Sequence, residues 1–217
     1  MDIKKISKKI SEARGAAKKR KFPQSIDFIV TFKDIDMKNA DQQVDFYVQL
    51  HHKTTKKRKI CAIVSPELKT KASEIFDTVI LEEDFDEFKK NPKKLKPIVA
   101  DHVFFVAQAN LMPRVAATFG RVLGPRGKMP NPKAGCVIDI KTDLKDLYEK
   151  LQNLVKVSAK LQPHIQCSVG TENMEDDKLA DNAYTIYEGL IHHLIKGEHN
   201  IKTAFVKLTM GPSVEVK

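Results

Sequence analysis

The chain has 217 residues, which is enough for one large or two modest domains with a hydrophobic core. Hydrophobic residues make up 41% and charged residues 30%, as is usual for a soluble globular protein, and no apolar run is long enough for a transmembrane helix. The three cysteines, Cys61, Cys136 and Cys167, lie far apart and predict neither a disulfide framework nor a zinc site. A net charge of +10 favours a polyanionic partner, such as a nucleic acid.

The N-terminal part predicts a helix followed by antiparallel strands. Apolar residues recur every three or four positions over 3–19, which predicts an amphipathic helix that ends before Phe22-Pro23. Residues 26–32 and 44–50 alternate apolar and polar side chains, a pattern typical of half-buried strands. The segment 51–59 has five basic and no acidic residues and predicts an exposed loop.

The middle of the chain alternates short apolar runs with helical patterns. The runs occupy 60–64, 78–81 and 102–107, and the helical patterns occupy 66–76, 82–90, 111–123 and about 144–154. This alternation is typical of βαβ units, whose parallel sheet is buried on both faces.

The C-terminal part returns to the antiparallel style. Residues 155–158 and 164–169 predict a hairpin, 176–196 a long helix, and 201–210 a final strand. The two ends of the chain therefore share a pattern of antiparallel strands that the middle lacks.

We predict a fold of the α/β class with two domains joined by a hinge. Residues 1–66 and 156–217 would form a discontinuous α+β domain, into which 67–155 insert as a Rossmann-like α/β domain. Divided in this way, the terminal domain carries +8 and the inserted domain +2. This uneven division favours nucleic-acid binding by the terminal domain.

Two local motifs have a functional and a purely structural interpretation. The loop Gly124–Gly135 suggests a phosphate-using enzyme, yet a P-loop needs Ser or Thr where Met129 follows Gly127-Lys128. The loop could touch phosphates or could be a stiff turn. The segment 207–213 ends in small polar groups and suits RNA contact, or it is a simple exit from a strand. No catalytic cluster, metal site or cofactor is predicted.

Several segments together resemble the family of large-subunit ribosomal protein one, the protein of the mobile ribosomal stalk. Residues 123–133 (LGPRGKMPNPK) resemble its signature loop, and 209–213 (TMGPS) its C-terminal RNA-contact motif. Residues 21–28 (KFPQSIDF) are similar to its N-terminal RNA-contact segment, and 104–113 (FFVAQANLMP) to its archaeal branch.

The resemblance implies a non-enzymatic, cytoplasmic protein of the large ribosomal subunit without a membrane segment. It implies binding to large-subunit rRNA at the stalk, and help in releasing deacylated tRNA from the exit site. Many members of the family also repress translation of their own operon mRNA, and we expect the same here. When free, the protein is expected to be a monomer.

The resemblance also implies which residues contact RNA. The set for rRNA and mRNA is Lys21, Phe22, Ser25, Asp27, Thr203, Thr209, Met210 and Gly211. Apart from the resemblance, the basic residues of 51–59 and of the loop Gly124–Gly135 are a second set of candidates for contact with RNA or tRNA: Lys56, Lys57, Arg58, Arg126, Lys128 and Lys133. The partner of the signature loop stays open between rRNA, tRNA and the other domain.

Overall fold

A computed structural model of the protein describes residues 1–39, 42–55, 57–139 and 142–217. The chain divides into unit 1, which comprises Met1–Lys56 and Asn153–Lys217, and unit 2, which comprises Lys57–Gln152. No helix within the described ranges is long and apolar enough to cross a membrane.

In the described residues, unit 1 contains two α-helices and two antiparallel sheets. Its elements are α1 (Ile3–Ala16), β1 (Ser25–Phe32), β2 (Val44–Gln49), β7 (Leu154–Ala159), β8 (His164–Thr171), α7 (Asp176–His193), β9 (Ile201–Leu208) and β10 (Ser213–Glu215). The larger sheet has the order β10-β9-β1-β8, and β2 pairs with β7 in the smaller one.

Helices α1 and α7 pack on one face of the larger sheet because each has an apolar stripe. Ile6, Ile10 and Ala13 of α1 are fully buried. The strands alternate buried and partly exposed residues, so their buried side chains face these helices and the others form an open face.

The predicted hairpin of 155–158 with 164–169 is wrong. Strand β7 pairs with β2, and β8 pairs with β1, so that the two successive strands belong to different sheets. Closeness in sequence favours a hairpin, but each strand instead pairs with a partner from the N-terminal part.

Unit 2 is a sheet with helices around it. Its elements are β3 (Ile60–Val64), α2 (Lys69–Ile75), β4 (Thr78–Leu81), α3 (Phe85–Lys90), α4 (Pro92–Asp101), β5 (Phe104–Gln108), α5 (Met112–Leu123), β6 (Val137–Ile138) and α6 (Leu144–Asn153), whose last residue falls in unit 1. The strands are all parallel in the order β4-β3-β5-β6. The predicted α/β class is confirmed.

The division between the units differs from the predicted boundaries. Every residue of β3 is buried, because this strand lies between β4 and β5. Unit 2 therefore begins at Lys57 rather than at 67, and it ends at Gln152 rather than at 155.

This shift changes the division of charge. Lys57, Arg58 and Lys59 now belong to unit 2, which has 18 basic and 13 acidic side chains, a net charge of +5. Unit 1 has 20 basic and 15 acidic side chains and also carries +5. The predicted concentration of charge on the terminal domain is therefore wrong at the level of whole units.

Within unit 1, however, the charge is concentrated in residues 1–24. They hold nine basic and two acidic side chains, a net charge of +7. The rest of unit 1 is slightly acidic.

Candidate nucleic-acid interface

The two predicted RNA-contact segments meet at one end of the larger sheet. Strand β1 begins at Ser25 and is antiparallel to β9 and β8, so its start lies beside their ends. Ser25 pairs with Thr171, and Ile26 pairs with Leu208. We call this region, formed by residues 21–25 and 209–211, the sheet tip.

Hydrogen bonds of the main chain and of two side chains hold the sheet tip together. The main-chain N–H and the hydroxyl of Thr209 both donate to the carbonyl oxygen of Ser25, over 3.0 and 3.1 Å. The Gln24 side chain is almost fully buried, and its Oε1 accepts from the Met210 N–H over 3.0 Å. The geometry of one segment is therefore fixed by the other.

The sheet tip presents side chains that have no role in the core. Phe22 is 52% exposed and Met210 is 59% exposed, so each of the two segments presents one large apolar side chain to solvent. Lys21 and Thr209 are exposed beside them. Flat apolar groups, a hydroxyl and a cation together suit sugar, base and phosphate contacts in RNA.

Gly211 allows a close approach of backbone at this end. A Cβ placed on Gly211 would lie 3.2 Å from the Cβ atoms of Ala17 and Leu208. A side chain at this position would therefore require these neighbours to give way by a few tenths of an ångström.

Asp27 lies on the open face of the sheet, next to the sheet tip. It pairs with Lys207 of β9 and Ser168 of β8, and Gln166 Nε2 donates to its Oδ2 over 3.2 Å. Burial raises the pKa of the Asp27 carboxyl, while the Gln166 hydrogen bond and the charge of Lys207 act to lower it. A carboxylate held there can accept from a 2′-hydroxyl or an amino group.

Thr203 lies away from the other predicted contacts. It pairs with Thr31 near the opposite end of β1, and the two hydroxyl oxygens are 2.5 Å apart. Thr31 lies six residue steps along the strand from Ser25, which corresponds to about 20 Å. The structure therefore brings Lys21, Phe22, Ser25, Thr209, Met210 and Gly211 together, with Asp27 adjacent and Thr203 apart.

Two further residues, which are not among the predicted contacts, position the sheet tip. Gln24 is one, and the other is Glu172, whose Oε2 accepts from the Gln24 N–H over 3.2 Å. The N–H of Glu172 in turn donates to the Gln24 carbonyl over 2.8 Å. Glu172 lies far from Gln24 in sequence, so no local pattern indicates this link.

The basic residues of the second set differ in their surroundings. Lys57 is exposed and lies 3.1 Å from Asp77, whose hydrogen bond raises the pKa of the lysine. Burial lowers the pKa of Arg58, whose main chain bonds to the Gln152 side chain. Lys56 lies outside the described residues.

One lysine of the signature loop, Lys128, is bonded to the main chain of its own unit. Lys128 Nζ donates to the carbonyl oxygens of Val99 and His102 at the end of α4, over 2.6 Å each. Burial, followed by the charge of Arg126, lowers the pKa of Lys128. Arg126 and Lys133 are exposed. The loop is thus a rigid structure within its own unit that displays some of its cations.

The position of this loop does not fit a nucleotide-binding enzyme. A P-loop runs from a strand into a helix, whose N-terminus then holds the phosphates. The loop Gly124–Gly135 instead runs from α5 into β6, and therefore lies at the amino edge of the parallel sheet. Ligands of open α/β sheets bind at the carboxyl edge. In the described part of the chain, no group of three or more His, Cys, Asp or Glu side chains is arranged to hold a metal.

A sequence model of the family described as "Ribosomal protein L1p/L10e family" matches residues 11–212. The chain belongs to the ribosomal protein L1p/L10e family. This match confirms the family that the sequence motifs resemble. It also agrees with the α/β class expected for that family.

Relatives in the L1p/L10e family align with the whole chain. The protein of Methanocaldococcus jannaschii is 40% identical over 217 residues, which are 100% of this chain and 97% of the relative. That of Methanothermococcus thermolithotrophicus is 37% identical over 100% of both chains. That of Thermococcus kodakarensis is 34% identical over 100% of this chain and 98% of the relative. Each carries the name large ribosomal subunit protein uL1, and all three organisms are archaea, as the similarity to the archaeal branch predicts.

Proposed function

We propose that this chain is a structural protein of the large ribosomal subunit, which binds large-subunit rRNA at the stalk and acts on cytoplasmic ribosomes. Membership of the L1p/L10e family and the names of the full-length relatives support this proposal. Its role is to hold and position RNA rather than to catalyse a reaction.

The observation that carries the proposal is the meeting of residues 21–25 and 209–211 at the sheet tip. Two segments almost two hundred residues apart are joined by hydrogen bonds of the main chain and of the Gln24 side chain, and they leave Phe22 and Met210 exposed. The adjoining residues 1–24 carry +7, which supplies sequence-independent attraction to phosphates. Shape-specific contacts at the sheet tip and a nearby excess of charge together are typical of an RNA-binding protein.

The proposal includes two finer activities that the resemblance implies. On the ribosome, the protein helps to release deacylated tRNA from the exit site. Away from the ribosome, the same sheet tip binds a site of similar shape on the protein's own operon mRNA and represses its translation. One surface can serve both RNAs because its contacts depend on shape and on 2′-hydroxyls.

The main test compares ligands in parallel titrations of the full chain. We expect binding to a stalk rRNA fragment to be much tighter than binding to an unrelated hairpin of equal length, at the same salt concentration. Calorimetry with ATP and GTP is expected to give no binding. Nucleotide affinity without rRNA affinity would overturn the proposal and favour the enzyme.

Separate measurements test the finer activities. Cosedimentation with large subunits tests assembly, and ribosomes reconstituted with and without the chain test tRNA release, which we expect to slow in its absence. A translation reporter behind the operon leader tests repression. Unchanged reporter output at saturating protein would contradict the regulatory role alone.

A further inference from the structure

The turn that connects β8 with α7 lies against the sheet tip and helps to hold it. We call residues 172–175 the β8–α7 turn. Its first residue, Glu172, makes two hydrogen bonds with Gln24, one through its N–H over 2.8 Å and one through its Oε2 over 3.2 Å. Gln24 Oε1 in turn accepts from the Met210 N–H. The position of the turn therefore affects both segments of the sheet tip.

Arg14, in the last turn of α1, bonds to the β8–α7 turn at its far end. Its guanidinium donates to the Met174 carbonyl, and its Nε lies 2.9 Å from Oδ1 of Asp176, the first residue of α7. The side chains of Arg14 and Asp176 are both less than one-third exposed. A guanidinium suits this position, because its planar fork can hold a carbonyl oxygen and a carboxylate oxygen at the same time.

Close packing connects Met174 with the strand that Glu172 continues. The Met174 N–H donates to the Thr171 carbonyl over 3.0 Å. A Cβ placed on Gly170 would lie 2.7 Å from the Met174 sulfur, so this side chain lies directly on the end of β8. Because such packing leaves little free space, a displacement of Met174 is expected to displace Glu172 as well.

The charge of Arg14 is already used within the protein. Arg14 belongs to the basic residues 1–24, whose excess charge suggests contact with phosphates. The cations at positions 18–20 are exposed and free to make such contacts. The Arg14 guanidinium is instead paired with Asp176 and bonded to a main-chain carbonyl, and a phosphate would have to displace both partners.

We propose that Arg14 is a positioning residue of the RNA site, which fixes the sheet tip through Met174, Glu172 and Gln24 rather than through contact with RNA. The proposal rests on the proposed function, since it takes the sheet tip to be the site of specific binding to stalk rRNA. Loss of the Arg14 side chain lowers the preference for stalk rRNA, because residues 209–211 lose part of their fixed position. The number of phosphate contacts stays the same.

Two simpler roles for Arg14 lead to different expectations. A cation that contacts RNA would contribute to the salt dependence of binding, and Lys8 is a comparison for this role, because it is an exposed cation of the same helix. A residue that only joins α1 to α7 would affect stability alone. Ser7 is the comparison for that role, because its hydroxyl donates to Asp177 Oδ1 over 2.9 Å and joins the two helices within α7 rather than at the turn.

The test measures the affinity of full-length variants for a stalk rRNA fragment and for an unrelated hairpin of equal length, between about 50 and 200 mM salt. Arg14→Gln should lower the ratio of the two affinities roughly 3- to 10-fold and leave the slope of log affinity against log salt unchanged. Arg14→Lys keeps the charge but lacks the fork, so it should restore the ratio only in part. Ser7→Ala and Lys8→Gln should keep the ratio of the unmodified chain.

Three results of these titrations would overturn the proposal. The first is an unchanged ratio in Arg14→Gln. The second is a slope that falls by about 1 in Arg14→Gln and recovers fully in Arg14→Lys, which would make Arg14 a phosphate contact. The third is an equal fall of the ratio in Ser7→Ala, which would make the effect a general one of helix packing.

A double-mutant cycle tests whether Arg14 acts through Glu172. Glu172→Ala removes the carboxylate that accepts from the Gln24 N–H, and it should lower the ratio by itself. Adding Arg14→Gln to Glu172→Ala should then change the ratio by less than about 2-fold, because the two residues act on the same bonds. Losses that multiply as if the residues were independent would contradict this path.

Amide hydrogen exchange of the free chain separates a local effect from a general loss of stability. Arg14→Gln should speed the exchange of the Glu172 and Met210 N–H groups more than that of the fully buried Val206 in β9. Equal acceleration at all three positions would overturn the proposal. If the exchange responds as expected but the unmodified chain does not prefer stalk rRNA, the proposed function fails, and the role of Arg14 in recognition fails with it.

Discussion

At the scale of single residues, the sheet tip is held by its main chain and by the buried Gln24 side chain, and it leaves Lys21, Phe22 and Met210 exposed for a partner. Thr209 combines both roles, because its hydroxyl donates to the Ser25 carbonyl while the residue stays exposed. A hydroxyl that donates one hydrogen bond can still accept others. The sequence motif indicated Thr209 as a contact, whereas the internal bond becomes visible only in the structure.

Replacing Thr209 with valine is expected to weaken specific binding to stalk rRNA by about 1–3 kcal/mol, because polar groups of the RNA would be left unpaired. Thr209→Ser keeps the hydroxyl and should bind almost as tightly as the unmodified chain. Fluorescence titrations with the rRNA fragment and an unrelated hairpin measure both effects. Equal affinity of the valine variant would show that the hydroxyl serves only the bond to Ser25.

Glu198 provides a residue-scale prediction about pH and stability. The hydrogen bond from Lys217, 2.5 Å away, and then that from Tyr187 lower the pKa of Glu198 from 4.5 to about 2. Because the folded pKa lies below the unfolded one, the stabilisation is present above pH 4.5 and is lost as the pH falls towards 2. The carboxylate is half exposed, so its contribution should be below about 1 kcal/mol.

Glu198→Gln should therefore lower the free energy of unfolding at pH 7, and the difference from the unmodified chain should shrink between about pH 5 and pH 2. Urea unfolding at a series of pH values measures this difference in the free energy of unfolding. Glu188→Gln, which removes another exposed carboxylate of unit 1, is the control and should show no such narrowing. A difference that stays constant with pH would contradict the assigned cause.

At the scale of elements, Gln24 joins the start of β1 to the turn after β9. We expect Gln24→Leu to leave the Met210 N–H unpaired and to reduce stability by about 1–3 kcal/mol. It should also reduce the preference for stalk rRNA over unrelated RNA, because residues 209–211 lose their fixed position. The slope against salt should not change, since no charge is removed.

Asn200→Leu is the matched control for this element. Asn200 is also buried, and its Oδ1 accepts from the Lys196 N–H over 2.8 Å, but it lies at the other end of the sheet. The Asn200→Leu variant should be less stable than the unmodified chain, but its folded form should keep the preference for stalk rRNA. Equal loss of preference in both variants would show that Gln24 acts only through general stability. Thermal melts measure the stability of each variant, and competition titrations measure its preference for stalk rRNA.

Sequence patterns predicted single elements better than their pairing. The period of the apolar residues indicated α1, β1 and the buried strands of unit 2, because burial acts on each element locally. The pairing of β7 with β2 depends on residues far apart in sequence and has no local signal. The sequence patterns did not indicate the helix α4, because Asn91-Pro92 interrupts the helical pattern that ends at residue 90. In the same way, motif resemblance indicated Thr209 and Phe22, but not Gln24 or Glu172, which act through distant partners.

At the scale of the whole molecule, the net charge of +10 belongs to two regions. Residues 1–24 carry +7. The amino edge of unit 2, taken as residues 57–59, 76–77, 102–103 and 124–136, carries +5, so that all other residues together carry −2. The predicted split by domain failed because its boundary lay on the wrong side of β3. The positive net charge is nevertheless confined to these two regions, and one of them, residues 1–24, adjoins the sheet tip.

This distribution predicts a clear separation between affinity and specificity. Lys18, Lys19 and Arg20 lie in the exposed segment between α1 and the sheet tip. Replacing all three with glutamine should reduce the slope of log affinity against log salt by about 2 to 3 on stalk rRNA. The ratio of affinities for stalk and unrelated RNA should stay the same, since phosphate contacts carry no sequence information.

The control for this prediction is Lys69→Gln, Lys93→Gln and Lys145→Gln, which removes three exposed cations from unit 2 outside its amino edge. It should leave both the slope and the ratio unchanged. Filter binding at four salt concentrations with both RNAs measures these quantities for each variant. If the Lys18, Lys19 and Arg20 variant lost its preference for stalk rRNA as strongly as Thr209→Val, the basic segment would take part in recognition itself, and charge would then contribute to specificity as well as to affinity.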